Sequence, residues 1–327
     1  MKIAITGATG HIGSTVVPLL LQKGYKLRAL LHDHQPYIDF TGIEIARGNL
    51  LDNNSVRSFI EGCDAVLHCA ARVSVSSNAD PEVYDINATG SINLFNIAKN
   101  SGIKKFVHIS SIHAYNQFTN EPLLNEKSPY CNDDAPRYDQ SKRDAQLYIL
   151  ANVSDAMHTV VLNPTSVTGP PDYRPSLAGK GMIDMCNNKV PSLINGGFDF
   201  CDVRDVAAGI VSAFEKGRNG ENYLLSGHWH HLSEMHAMIM DAMGNQKKLP
   251  VLPIWTAYAG LPFISLFAKL TASEPLYTRE SVMALHHGNR YISSAKAQSE
   301  LGYKARPLKE TITDVIEWFR LNKFINS

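Results

Sequence analysis

Apolar positions in the first half of the chain alternate between two rhythms. Short apolar runs recur at KIAIT (2–6), KLRALL (26–31), DAVLHCA (64–70), KKFVHIS (104–110) and TVVLNP (159–164), with the more polar EIARG (44–48) among them. Each reads as a strand. Between them, apolar residues return every three or four positions and predict helices near 12–22, 53–60, 81–100 and 138–151. Pro81 suits the first turn of its helix. Strands alternating with helices predict a parallel sheet joined by right-handed crossovers.

After residue 165 the rhythm loosens, and Gly and Pro crowd residues 169–197. A helix over 203–216 and a strand over 222–226 return to the sheet, and a last helix is predicted near 307–321. VLPIWTAYAGLPFISLFAKL (251–270) has almost the length and apolarity of a membrane span. Pro253 and Pro262 interrupt it, and Gly260 and Ser265 weaken it. It therefore predicts two short helices turning at Gly260-Leu261-Pro262, a hydrophobic cover over a cleft in preference to a membrane segment.

A chain of 327 residues with a 44% apolar fraction has ample material for two domains or one large α/β unit. Lys and Arg number 31, as do Asp and Glu, so there is no basic field for a nucleic-acid backbone. The five cysteines are odd in number and lack C-x-x-C spacing, which reads as reduced thiols of a cytoplasmic protein. MKIAITGATG enters a strand and turn directly, with no basic and apolar leader pattern.

TGATGHIG (6–13) follows the first strand and opens the first helix. Gly7 permits a tight turn, Gly10 a close backbone approach to a pyrophosphate, and Gly13 tight packing of helix on strand. The helix N-terminus then faces the anion. The spacing is G-x-x-G-x-x-G and lacks the G-K-[ST] ending of a triphosphate loop. Three glycines alone are a weak signal, but their place between strand and helix favours a dinucleotide site.

TGATGHIG, CAA at 69–71, Asn87, SS at 110–111, YDQSK at 138–142 and NPTSVTGP at 163–170 occur in this order. Together they resemble the extended short-chain dehydrogenase/reductases of the NAD-dependent epimerase/dehydratase superfamily, in particular the dihydroflavonol reductase-like branch. The resemblance continues through FDFCDVRDVAAGI (198–210) and SSAKAQSELGY (293–303). It implies an α/β fold, a Rossmann-type doubly wound parallel sheet with a smaller, mostly helical substrate-binding lobe. Residues 1–165 with 198–226 would form the NAD(P)-binding domain, and 166–197 with 227–327 the lobe.

The resemblance further implies Ser111, Tyr138 and Lys142 as catalytic residues, with Asn87 in support. Chemistry agrees with that set, because a carbonyl receiving hydride needs a proton on its oxygen. A phenol donates one readily, and an ammonium four residues on, on the same helical face, would lower its pKa. Asp139 and Gln140 are expected to face away. Ser110 is the competing serine; alignment on Tyr115 favours Ser111.

Cofactor contacts are implied at Gly7, Thr9, Gly10, His11, Ile12 and Gly13 in the loop, and at His32, Asn49 and Leu50 around the adenosine. Ala70, Ala71, Tyr138, Lys142, Pro164 and Ser166 complete the set. LLHDH (30–34) ends the second strand with Leu31 where NAD-preferring relatives carry an acid. That absence favours NADP; Asp33 pulls the other way, and NAD stays open. The substrate is expected to be a small-molecule carbonyl or alcohol touching Ser111, His113 and Tyr138, in a pocket drawn from 73–77, 113–116, 165–200 and 251–285.

His68 and His108, inside strands, are expected to be satisfied core residues. HWHH (228–231) lacks a partner cluster of acids or cysteines, so no metal is expected there. Ile92, Phe95, Ala145 and Ile149 on the helices near 82–100 and 138–151 would suit a homodimer contact. Two rival readings share these residues: a nucleotide-sugar epimerase or dehydratase retaining NAD, and a non-catalytic NADP-binding redox sensor.

Overall fold

A computed structural model of the chain describes residues 1–32, 36–73, 81–118, 123–271 and 279–325. Asp33 and the pocket stretch 74–77 lie outside the described residues.

The first half follows the predicted alternation. Strand β1 (Lys2–Thr6) leads through the glycine turn to α1 (His11–Gln22), followed by β2 (Lys26–Leu31), β3 (Glu44–Arg47), α2 (Asn53–Ile60) and β4 (Ala65–His68). The helix expected over 81–100 changes pitch within its length. α3 (Pro81–Tyr84) passes into a π-helical turn at Asp85–Gly90 and then into α4 (Ser91–Asn100). β5 (Lys105–Ile109), a 3-10 turn (Ile112–Ala114), α5 (Arg137–Ala151) and β6 (His158–Pro164) follow.

The second half holds more strands than its pattern suggested. It runs through β7 (Ser166–Thr168), α6 (Leu177–Cys186), β8 (Leu193–Ile194), β9 (Gly197–Asp202), α7 (Val203–Lys216), β10 (Glu221–Leu225) and β11 (His228–His231). Next come α8 (Leu232–Ala242), β12 (Val251–Leu252), α9 (Ile254–Thr271), α10 (Arg279–His287), α11 (Ala295–Leu301) and α12 (Leu308–Leu321).

Seven strands form one parallel sheet in the order β10-β6-β5-β4-β1-β2-β3. Both faces are covered, which is why its strands read as apolar runs. Ile3, Ile5, Leu67 and Val107 pack with Val16, Leu20, Ile210 and Phe214 on one face. Ala4, Val66, Phe106 and Val161 pack with Phe59, Leu94, Phe95 and Ile149 on the other. Strand order reverses between β1 and β4, opening a crevice at the C-terminal strand ends. A third core gathers α6, α8 and α12 around Met182, Ile239, Ile312 and Phe319. Beside it lie a three-stranded sheet, β11-β9-β7, and a two-stranded one, β12-β8.

Three expectations change. α9 runs through Pro262 as one helix, with no turn at Gly260-Leu261-Pro262. An interior Pro costs about 3 kcal/mol. Packing of Ala257, Ile254, Tyr258 and Leu261 on the third core offsets it. Phe95, Ala145 and Ile149 are fully buried in the monomer, so they offer nothing to a partner chain. Helical spacing marked an apolar face, and the sheet takes that face. Ala297, Leu301 and Tyr303, assigned by sequence to the lobe, pack on the main sheet's first core.

Candidate active site

The site is built at the C-terminal ends of β1, β4, β5 and β6. Gly7 has φ +70, and a Cβ there would sit 2.6 Å from the Ala70 nitrogen. A Cβ at Gly13 would lie 2.0 Å from the Gly7 carbonyl oxygen, so only glycine lets α1 leave β1 this closely. Gly10 is exposed, and its hypothetical Cβ meets only the Gly7 carbonyl, at 3.3 Å. α1 begins with no side-chain cap and no acidic residue in its first turn. These features fit a dinucleotide pyrophosphate: open backbone at Gly10 and uncapped N–H groups at a helix N-terminus.

The other expected cofactor residues divide by what their side chains already do. Thr9 and Ile12 are half-buried in the loop and first turn. The His11 ring is turned onto the Gly169 carbonyl, 2.8 Å away, and couples the glycine loop to the end of β7. Asn49 Oδ1 accepts the Leu51 N–H at 2.9 Å, and Leu50 is buried in the second core. Ala70 donates its N–H to Thr6 Oγ1, and Ala71 is exposed. Pro164 is buried at the end of β6, and Ser166 is half-buried at the start of β7. His32 is exposed and lines an open groove of about 860 Å³ with Arg28, Arg47 and Asn49. Arg47, the register partner of Leu31, carried no signal in the sequence beyond its place at a strand end.

Ser111 lies two residues past β5 and caps the 3-10 turn, its Oγ accepting the His113 N–H at 3.2 Å. Ser110, by contrast, is buried with no partner for its hydroxyl among the described residues. Tyr138 stands in the first turn of α5, with the Ser111 hydroxyl acting on its phenol. Burial pushes the phenol up to about 12, against the lowering effect of the Ser111 hydroxyl. Lys142, one turn on, is 2% exposed and donates to the Ile109 carbonyl at 3.1 Å. Burial lowers its pKa to about 8. Its Nζ is thereby held on the end of β5, one helical turn from Tyr138.

Asn87 is buried in the π-helical turn and clamps one residue from both sides. Its Oδ1 accepts the Arg72 N–H at 2.8 Å and its Nδ2 donates to the Arg72 carbonyl at 2.9 Å. Nδ2 also reaches Ser141 Oγ at 3.3 Å, tying the chain after β4 to α5. Ser91 Oγ bonds the Asn87 carbonyl at 2.6 Å and His68 Nε2 at 2.7 Å. His68 Nδ1 meets Thr6 Oγ1 at 2.6 Å, so this histidine is satisfied, and burial holds its pKa down at about 3. His108 is a correction: it is fully buried, yet neither ring nitrogen has a partner among the described residues. Burial drives its pKa well below the usual histidine value, so the ring is neutral.

Asp139 does not face away. Its Oδ1 lies 3.1 Å from His113 Nδ1, an ion-pair contact outside hydrogen-bond alignment. The His113 ring sits edge-on to Tyr138 at 5.6 Å. Gln140 donates to the Asp133 and Ala135 carbonyls, bracing the entry to α5. Sequence reasoning also missed a polar layer behind Ser111. Asn163 Nδ2 donates to the Ser111 carbonyl at 2.8 Å and to Gln146 Oε1 at 2.6 Å. Its signal was present: a polar residue inside the apolar run TVVLNP. HWHH forms β11, where His230 pairs with Glu234 at 3.0 Å. Among the described residues no group of three His, Cys, Asp or Glu is placed to hold a metal.

Residues 3–226 match the model of the NAD dependent epimerase/dehydratase family. The chain belongs to that family. It is an NAD(P)-dependent oxidoreductase of the extended short-chain dehydrogenase/reductase superfamily. This family member is 28% identical to Sterol demethylase protein B of Methylococcus capsulatus over 98% of both chains. It is 26% identical to a dihydroflavonol 4-reductase-like protein of Synechocystis over 99% of this chain and 96% of that one. Among solved structures, gox2253 superposes with a TM-score of 0.85 at 27% identity, covering 100% of this chain and 99% of that one. No helix among the described residues is long and apolar enough to cross a membrane.

Proposed function

We propose that this oxidoreductase is an NADP-dependent reductase of a ketone or aldehyde on a medium-sized organic substrate, with Tyr138 as proton donor. The observation that carries the reading is the meeting of Tyr138, Ser111 and buried Lys142 at the end of β5. When bound along Gly7, Gly10 and Gly13, the dinucleotide supplies the hydride. The Ser111 hydroxyl polarises the carbonyl oxygen by hydrogen bonding. As charge grows on that oxygen, Tyr138 releases its proton to it. A phenol pushed up to about 12 stays protonated at neutral pH, which suits a donor. Lys142 places positive charge beneath the site, and Asn87 positions the Arg72 backbone beside it.

The NADP preference rests on Leu31 in place of an acid and on His32 and Arg47 lining one groove. A guanidinium pairs well with a phosphate monoester. Glu44 shares the groove but is already paired with Lys2 and Arg28. The chain's two-part organisation, cofactor domain and lobe, and a cytoplasmic setting belong to the same reading. A homodimer would have to use outward residues such as the exposed Leu147.

The test is NADPH oxidation over a panel of ketones and aldehydes, with NADH in parallel. Turnover with a carbonyl and tighter binding of NADPH support the proposal. Protein that retains NAD through purification and oxidises no NADPH would instead support the epimerase reading.

A further inference from the structure

The Ser/Tyr/Lys set completes carbonyl reduction without a histidine, yet a histidine–carboxylate pair is built against it. His113 lies two residues past Ser111, on the 3-10 turn that Ser111 caps. Its ring stands edge-on to the Tyr138 ring at 5.6 Å, and Asp139, the next residue on α5, lies 3.1 Å from Nδ1. The two partners differ in exposure: 38% of the His113 side chain is accessible against 13% for Asp139. The carboxylate is therefore the rear member and the imidazole the front one. With Nδ1 on Asp139, Nε2 is the ring's second polar atom, on a side chain that borders the Tyr138 ring.

We propose that His113, backed by Asp139, binds a substrate carboxylate, and that the substrate is an oxo acid with its carboxylate one or two carbons from the carbonyl. The inference rests on the reductase reading and deepens it. The carbonyl oxygen sits on Ser111 and Tyr138, so an anion on His113 belongs to the same end of the molecule. In the reaction the carbonyl carbon accepts hydride, its oxygen takes the Tyr138 proton, NADPH becomes NADP⁺, and the carboxylate is unchanged. Burial disfavours the imidazolium, but the facing Asp139 charge outweighs it and Lys142 opposes only in part, so the His113 pKa is raised. A raised pKa means that the cation persists to higher pH than on a free imidazole and disappears as pH rises through that value. The acid preference should disappear with it.

The probes are 3-oxodecanoate and its methyl ester, assayed with NADPH across the pH range. On the acid side of the His113 titration the acid should exceed the ester in kcat/KM by about tenfold, the worth of one charge-assisted hydrogen bond. H113Q should bring that ratio to near one. D139N should keep the preference only at lower pH, because His113 loses the carboxylate that raises its pKa. Ester turnover on each variant reports that the protein is folded. Equal turnover of acid and ester by the native protein overturns the proposal, as does an undiminished ratio in H113Q. Turnover of neither compound, nor of any other carbonyl, overturns the reductase reading itself.

Discussion

Tyr138 and Lys142 are adjacent on α5 but live in different environments. The phenol is raised to about 12 and the ammonium lowered to about 8, burial being the larger cause in both. Tyr138 is thus a proton donor across the physiological range. Y138F should lower kcat for carbonyl reduction by about 10²–10⁴-fold, the range typical of a lost general acid, in steady-state assays. The Lys142 charge is present below its pKa and lost above it. Reduction should therefore hold level on the acid side and fall as pH rises through about 8. K142R keeps its charge, so the surviving activity should lose that alkaline limb; an unmoved limb would point to another group. Spacing in YDQSK was enough to single out both residues. It could not say that Lys142 turns onto the Ile109 carbonyl, because the partner is on a strand 33 residues earlier.

At the scale of elements, the glycine turn and its helix act as a unit. A Cβ at position 13 would strike the Gly7 carbonyl at 2.0 Å, backbone against backbone, whereas one at position 10 meets the same oxygen at 3.3 Å and little else. G13A should lower stability by about 1–3 kcal/mol or more, as overpacking does, read in thermal melts. G10A should melt close to the native protein and lose NADPH affinity, read by fluorescence titration. Strand and helix boundaries in this half were legible to within a few residues because both sheet faces are covered by helices. The π-helical turn at Asp85–Gly90 was not legible: an apolar pattern records a face, and the extra residue per turn is held by Asn87 on Arg72 and Ser141.

Across the whole molecule, an ionic cluster joins the Rossmann helix α7 to the last helix. Arg306 grips Asp205 through Nη2 at 2.7 Å, and Arg204 bridges Asp202 and Asp314, both at 2.7 Å. The Asp202 side chain is fully buried, so its charge depends on these partners. R306A should destabilise by about 1–3 kcal/mol, because Asp205 loses its partner while Asp202 keeps Arg204, and the partial exposure of Arg306 holds the cost below that of a fully buried pair. Calorimetry should show the loss, with kcat little changed, since no member of the cluster touches the reacting groups.

The sequence by itself determined what local spacing can encode. It specified a strand–glycine–helix cradle, a serine just past the fifth strand, and a tyrosine and lysine on one helical face. Each depends on residues a few positions apart, where steric limits and helical periodicity act directly. Tertiary structure alone decided the rest. It turned Asp139 toward His113, set Asn163 behind Ser111, and buried Phe95, Ala145 and Ile149 against the sheet. It also paired the short strands β7, β9 and β11 and carried α9 through Pro262. These outcomes join segments distant in sequence, and their energy comes from desolvation and packing that exist only after the chain has closed on itself.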